Sequence, residues 1–379
     1  MDITLTQVED QGQLKEFVTF PWVINRGDPY WVPPLISERM KRLDIQRNPF
    51  WKEAERQLWI ARRAGKPVGT IAAILDRRGN RILNESAGGF GFFDCVNDGS
   101  VADFMLRAAA EWLKVRGMTV MRGPYNPTQT EDYGILVEGY ETMPSLMMPH
   151  NPPYYRTFFE QPDYHVHREG VARIYYRTPE MKEYAQALPE KLRLVAERAS
   201  LRPDLLIRSV NTKDWANEIH LAWQMFHDAL KDLPDRIMPA EDEFLDMANS
   251  FKAFLDPDLA LIAEVGGKPA GFILALPDIS EPLKHVNGRL GPLGLIKLWW
   301  YSRHLKRVSL KILIVLPEFH YRGVEAVLID RMGRAIWNNR DYMELDMSLT
   351  GDENWKSNRF QDALGFEIYR RYRVYERSL

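Results

Sequence analysis

The sequence predicts an α/β chain with mixed α+β sheets, built as two tandem domains of one fold. Three observations carry this. A Gly-Lys-Pro-x-Gly segment occurs twice, as Gly65-Lys66-Pro67-Val68-Gly69 and Gly267-Lys268-Pro269-Ala270-Gly271, 202 positions apart. Each copy sits between two apolar runs of strand length, 57–61 and 68–75 first, 259–265 and 270–276 second. That reads as a hairpin with turn residues at its tip. Apolar strands then alternate with amphipathic helices through the chain, the pattern of helices layered on a sheet.

Two further landmarks recur in the same order. Ala108-Ala109-Ala110-Glu111-Trp112, leading to Gly117-Met118, matches Gly333-Arg334-Ala335-Ile336-Trp337, leading to Tyr342-Met343, at an offset of 225. Asn151 opens a helical run ending at Asp163-Tyr164, and Asn354 opens one ending at Gly365-Phe366, with the offset back at 203 and 202. An extra helical segment in the second half, 283–306, and a longer loop in the first, 123–150, explain the change. Duplication accounts for such ordered self-similarity. It predicts a first domain at 1–178, a helical linker at 179–203 and a second domain at 204–379.

In the first half the run Gly88-Gly89-Phe90-Gly91-Phe92-Phe93-Asp94-Cys95 reads as a packed central strand, because aromatics stand between its glycines. The linker holds a helix at 188–199, with Pro189 near its start and Pro203 after its end. The second half reads as strand 205–210, helices 214–231 and 241–254, the hairpin, strand 310–316, helix 324–338, strand 342–347 and helix 355–364. One or two strands close it within 367–377.

Composition excludes several functions. The 379 residues are 45% apolar and 27% charged, with a net charge of −2, so neither a disordered acidic chain nor a basic nucleic-acid footprint is indicated. The single cysteine, Cys95, makes an intramolecular disulfide impossible, and Met1-Asp2-Ile3-Thr4-Leu5 has no secretory character. No apolar run reaches the ~18–20 residues of a membrane span. The expectation is a cytoplasmic protein without a transmembrane segment.

The stretch Val315-Leu316-Pro317-Glu318-Phe319-His320-Tyr321-Arg322-Gly323-Val324-Glu325-Ala326 resembles motif A of the GCN5-related N-acetyltransferases, the GNAT superfamily. There a strand leads through Arg/Gln-x-x-Gly-x-Gly/Ala into a helix. Asn354-x-x-Ser357-x-x-Phe360-Gln361-x-x-Leu364-Gly365-Phe366 resembles motif B, and Val374-Tyr375-Glu376-Arg377 looks like the usual last strand. The resemblance covers 204–379 and reaches the first half only through the repeat. It implies a tandem GNAT chain using acetyl-CoA or another acyl-CoA. Ile314 and Val315 would flank the thioester, residues His320, Tyr321, Arg322, Gly323, Val324, Glu325 and Ala326 would hold pyrophosphate, and Asn354 would border the pantetheine. A helix start offers free N–H groups and a favourable dipole to such an anion. The sequence departs from the pattern at His320 and at Glu325, whose carboxylate repels phosphate. Gln361 stands where many relatives have a Tyr that protonates the leaving thiolate. The first half has Val96-Asn97-Asp98-Gly99-Ser100 in place of the anion turn, so it is expected to lack a cofactor site.

Other segments are candidates of a second kind. The loop 123–150 concentrates Asn126, Thr128, Gln129, Glu131, Asp132 and Tyr133, and Glu131 or Asp132 is a possible general base for an amine. Its plainer reading is a surface loop at the domain interface. Residues 293–307 carry Leu295, Ile296, Leu298, Trp299, Trp300 and Tyr301, then Arg303-His304-Leu305-Lys306-Arg307. They fit a lid over an apolar acceptor or a membrane-surface helix, but apolar residues on nearly every side favour a helix packed between the halves. His165-x-His167 puts two imidazoles on one strand face, with no third ligand to make a metal site. Asp28-Pro29-Tyr30-Trp31-Val32-Pro33-Pro34 reads as a structured turn.

The functional expectation is an acyl-CoA-dependent N-acyltransferase acting on a small-molecule or peptide amine, without metal or nucleic acid. Two alternatives are a non-catalytic binding protein on a degenerate GNAT scaffold and an aminoacyl or peptidyl transferase using a donor other than CoA.

Overall fold

The computed structural model describes residues 2–178, 180–231, 236–339 and 341–379. The first linker position, 179, lies outside them. The elements run β1 (Ile3–Gln7), α1 (Gln11–Thr19), α2 (Pro21–Ile24), α3 (Ile36–Leu43), β2 (Ala54–Arg63), β3 (Lys66–Asp76), α4 (Arg77–Leu83), β4 (Ala87–Cys95), α5 (Gly99–Lys114), β5 (Val120–Gly123), β6 (Tyr125–Asn126), β7 (Asp132–Tyr133), β8 (Ile135–Glu138), α6 (Tyr155–Phe159) and β9 (His165–Tyr176). They continue with α7 (Glu190–Ser200), β10 (Leu205–Ser209), α8 (Trp215–Leu230), α9 (Glu241–Phe251), β11 (Ala260–Val265), β12 (Lys268–Pro277), α10 (Ser280–Val286), α11 (Pro292–Tyr301), β13 (Arg307–Val315), α12 (Val324–Asn338), β14 (Glu344–Gly351), α13 (Trp355–Ala363) and β15 (Glu367–Ser378).

The chain forms two compact units, each discontinuous in sequence. Unit 1 is Met1–Val171 with Ser280–Tyr301 and Tyr369–Leu379, and unit 2 is Ala172–Ile279 with Ser302–Ile368. Unit 1 orders its strands β1-β2-β3-β4-β5-β15, with β8 also on β15; unit 2 orders β10-β11-β12-β13-β14. In each unit three antiparallel pairings are followed by one parallel pairing.

The repetition reaches single residues. The β2–β3 hairpin has a register shift between Ala61 and Arg62; the β11–β12 hairpin has one between Ala263 and Glu264, 202 positions on. In each unit the parallel pair holds register for three residues only, Ala87–Gly89 against Val120–Arg122 and Arg307–Ser309 against Glu344–Asp346. Beyond those residues the strands are no longer backbone-paired.

Helices cover the sheets with their apolar faces. In unit 1 Val101, Met105, Leu106, Ala109 and Leu113 of α5 pack on Ile71, Ala73 and Leu75 of β3. In unit 2 Val324, Leu328 and Met332 of α12 pack on Ala263, Ile273 and Val308. At ~25 cal/mol per Å² this burial dominates the stability of each layer.

Three expectations are corrected. The loop 123–150 is not without structure: β6 pairs β7, and β8 pairs β15. The helix expected from Asn151 starts only at Tyr155, because Pro152 and Pro153 disfavour the helical conformation of the residues before them, Asn151 and Pro152. And 283–306 is two helices, of which α11 is not enclosed: Leu293 is 76% exposed and Trp300 61%.

Candidate functional site

Unit 2 presents a strand–turn–helix junction. β13 ends at Val315, a short turn follows, Tyr321 and Gly323 take left-handed backbone (φ 62° and 80°), and α12 begins at Val324. Phe319 N–H donates to Leu316 and His320 N–H to Pro317, while Val327 N–H donates to the Gly323 carbonyl. No hydrogen bond of good geometry ties the six N–H groups of Tyr321, Arg322, Gly323, Val324, Glu325 and Ala326 to an acceptor among the described residues. Such a run, capped by a helix dipole, attracts an anion.

Three side chains bear on that turn. His320 Nε2 donates to the Val315 carbonyl at 3.0 Å, which ties the turn back to the strand end. Enough protein surrounds the Glu325 carboxyl that burial raises its pKa, with His320 opposing. Helix α7 closes over Gly323: a Cβ there would lie 2.6 Å from Ala199 Cβ, and Arg202 donates to the Arg322 carbonyl at 3.1 Å. The missing side chain of Gly323 therefore serves helix packing as well as the left-handed turn.

A polar ladder crosses between β13 and β14, from the paired residues to the point where the strands part. Arg307 donates to Glu344 at 2.8 Å, Ser309 to Asp346 at 2.5 Å and Lys311 to Ser348 at 3.0 Å. Ser309 and Ser348 are themselves 3.1 Å apart, so Asp346, Ser309, Ser348 and Lys311 form one chain. Lys311 is the extra residue of a bulge, since Leu274 pairs Ile312 and Ala275 pairs Leu310. Burial lowers the Lys311 pKa, and Asp346 and Asp278 only partly restore it. Bulges of this kind re-aim side chains beside sites.

Unit 1 fills the equivalent gap with its own chain. A Cβ on Gly91 would lie 1.6 Å from the Tyr125 carbonyl oxygen. The Asn126 side chain accepts from Phe92 N–H at 2.6 Å, and its amide donates to Asp132 at 3.2 Å. Asp132 is also gripped by Arg39 at 2.7 Å and Arg42 at 2.5 Å, and Glu131 by Arg42 at 2.6 Å. Burial pushes the Asp132 pKa up, but Arg39 and Arg42 outweigh it and hold the carboxyl below its usual range. Beside this group burial raises Asp94 to about 6, with Arg39 and a hydrogen bond from Tyr155 opposing.

No family model matches the chain. Over 375 residues, 98% of this chain and 94% of its counterpart, it is 30% identical to protein YghO of Escherichia coli (strain K12). The chain belongs to the YghO family. This member is also 28% identical to the bacterial ceramide synthase of Caulobacter vibrioides, over 100% of its own length and 98% of that protein. Its structure is similar to a tandem GNAT protein from the clavulanic acid biosynthesis pathway, with a TM-score of 0.59, 11% identity and coverage of 100% and 98% of the two chains. This YghO-family chain therefore has the tandem GNAT fold.

The residues read from the YghO-family sequence fall into two groups. His320, Tyr321, Arg322, Gly323, Val324, Glu325 and Ala326 stand together at the α12 start, with Val315 at the strand end behind them. Ile314 packs with Met225, Ile262 and Phe272. Asn354 caps α13, accepting from Ser357 N–H at 3.3 Å. Gln361 is buried; its amide donates to Thr350 and Ser357, and its Oε1 has no partner among the described residues. Glu131 and Asp132 belong to unit 1. His165 and His167 both meet Glu376, at 2.8 and 3.4 Å. Lys311, Ser309, Asp346 and Ser348 escaped sequence reading. Their trace is polar alternation, Arg307-x-Ser309-x-Lys311 and Glu344-x-Asp346-x-Ser348, in strands that otherwise read as core.

Proposed function

We propose that the protein is an acyl-CoA-dependent N-acyltransferase with one donor site, in unit 2, and a lipidic amine as acceptor. The observation that carries this is the run of six N–H groups from Tyr321 to Ala326 without a well-formed hydrogen bond among the described residues, next in sequence to a strand that has parted from its parallel neighbour. Those N–H groups suit a diphosphate, and the space between β13 and β14 suits an acyl thioester. The full-length relative named ceramide synthase supports the acceptor class, since a ceramide is the fatty amide of a long-chain amino alcohol.

Acyl-CoA supplies an activated thioester carbonyl. The acceptor amine attacks it, a C–N bond forms, and the C–S bond breaks. Lys311, in its neutral form, takes the proton from the amine and returns it to the leaving thiolate. Ser348, Ser309 and Asp346 orient Lys311 and share its charge. Gln361 holds Thr350 and Ser357 in place and transfers no proton. Unit 1, with Asn126 in its gap, is a scaffold in this reading. The two halves, 1–178 and 204–379, descend from one duplicated ancestor, and a reducing cytoplasm suits the single buried Cys95.

The Glu325 carboxyl and Ala199 against Gly323 favour a second reading, in which the acyl group comes from a thioester without pyrophosphate. One experiment decides between them. The protein is incubated with a long-chain amino alcohol and either palmitoyl-CoA or a palmitoyl-pantetheine, and amide is followed by mass spectrometry. Amide from the CoA donor supports the first reading, amide from pantetheine alone the second, and no amide from either sinks both.

A further inference from the structure

The α10–α11 hairpin of unit 1 displays an apolar surface that the acyl-transfer reading does not use. It is firmly held. Asn287 accepts from the Trp22 indole at 2.7 Å, Gly288 accepts from Ile36 N–H at 3.0 Å, and Lys284 donates to the Pro29 carbonyl. Gly294 lets α11 settle on α10: a Cβ there would lie 2.1 Å from the Arg289 carbonyl oxygen. At the other end the Tyr301 ring stacks on His285, centroids 3.7 Å apart.

One side of α11 is thus spent on α10, through Gly294, Leu298 and Tyr301. The other arc, at ~100° per residue, carries Leu295, Trp299, Ile296, Trp300 and Leu293, exposed at 54, 58, 60, 61 and 76%, with Lys297 at its edge. A solvent face would be polar here. After Glu281 the charge along the hairpin sequence is of one sign. Within the unit 1 segment there is no Asp or Glu from Pro282 to Tyr301, while Lys284, Arg289 and Lys297 fall in that stretch. This happens in a chain whose net charge is −2.

We infer that α11 is a membrane-surface helix that lies on anionic bilayers. Its 10 residues span ~15 Å and are too short to cross one. The tryptophan pair matches the headgroup boundary, where a ring wants one apolar and one wet side. The lysines and the arginine match anionic headgroups. A second copy of this chain is a poorer occupant, because its α11 brings the same positive charge.

The inference does not rest on the donor-site reading, since vesicle binding is measured without substrate. The full chain is sedimented with phosphatidylcholine vesicles, with and without phosphatidylglycerol. Binding is expected to the anionic vesicles, to weaken as salt is raised, and to fall about tenfold or more in a Trp299→Ser, Trp300→Ser variant of unchanged melting temperature. Lys297→Glu is expected to weaken binding to the anionic vesicles alone. The inference is overturned if anionic vesicles bring down no protein at low salt, or if the tryptophan variant binds as the parent does. It is equally overturned if the parent is a dimer that the tryptophan variant dissolves.

Discussion

Lys311 Nζ donates to Ser348 Oγ at 3.0 Å, across two parallel strands that are no longer paired through their backbones. The rung continues the spacing of the two below it, Arg307 to Glu344 and Ser309 to Asp346. A strand pair that opens leaves N–H and C=O groups to be satisfied elsewhere. Here the side chains bridge the opening at its base, with an amine, two hydroxyls and a carboxylate in sequence. Burial lowers the amine's pKa, which brings the neutral, basic form nearer to working pH.

Replacing this amine should stop transfer without unfolding the protein. Lys311→Met is expected to lower kcat/KM by about 10²–10⁴, the usual worth of a general base. Lys311→Arg should fail as well, because a guanidinium does not give up its proton. The parent's kcat/KM should rise with pH through a value below that of an ordinary lysine, and the variants should lack that limb. A pH profile of the residual activity that keeps the limb would assign the base elsewhere.

Glu325 should hinder the donor rather than help it. Its pKa is raised, so acidification protonates it earlier than an exposed glutamate and removes the repulsion toward phosphate. CoA affinity is therefore expected to grow as pH falls. Glu325→Gln should tighten CoA about tenfold near neutrality, or ~1.4 kcal/mol, and flatten the pH dependence. Calorimetry of CoA binding to both proteins reads this directly; equal affinities would show that the carboxyl does not face the anion.

Gly323 is constrained twice, by φ of 80° and by Ala199. Gly323→Ala should cost about 1–3 kcal/mol in urea unfolding. Adding Ala199→Gly should recover the steric part and leave about 1–2 kcal/mol for the left-handed backbone. A double variant no more stable than Gly323→Ala would mean that α7 does not press on the turn.

Asp94 makes stability depend on pH. Its folded pKa, about 6, lies above the unfolded value, so the folded state holds the proton longer. Its contribution is full below the unfolded pKa and is lost as pH rises through about 6. Asp94→Asn should remove that slope and raise stability at neutral pH by about 1–3 kcal/mol. Denaturation at a series of pH values checks it, and an unchanged slope would contradict the assignment.

Much of the fold was legible because its signals are local. The two Gly-Lys-Pro segments mark hairpins whose register shifts fall 202 positions apart, and Gly323 marks the start of α12. The site was legible at the turn and illegible in the opening. The rungs join residues 37 positions apart across an intervening helix, so neither strand alone shows its partner. Asp132 looked like a free acid because Arg39 and Arg42 lie some 90 residues away in sequence. Helix α11 looked buried because apolar residues on every side normally mean a core, and here they meet solvent.

In the proposed function unit 2 alone takes the acyl donor, at the α12 turn. Hydrogen exchange of the full chain, with and without palmitoyl-CoA, tests it most directly. Slower exchange is expected at the amides of Tyr321 to Ala326, with no change across Phe90 to Asp98. Protection in that unit 1 segment, or no protection at the turn with saturating donor, would contradict it.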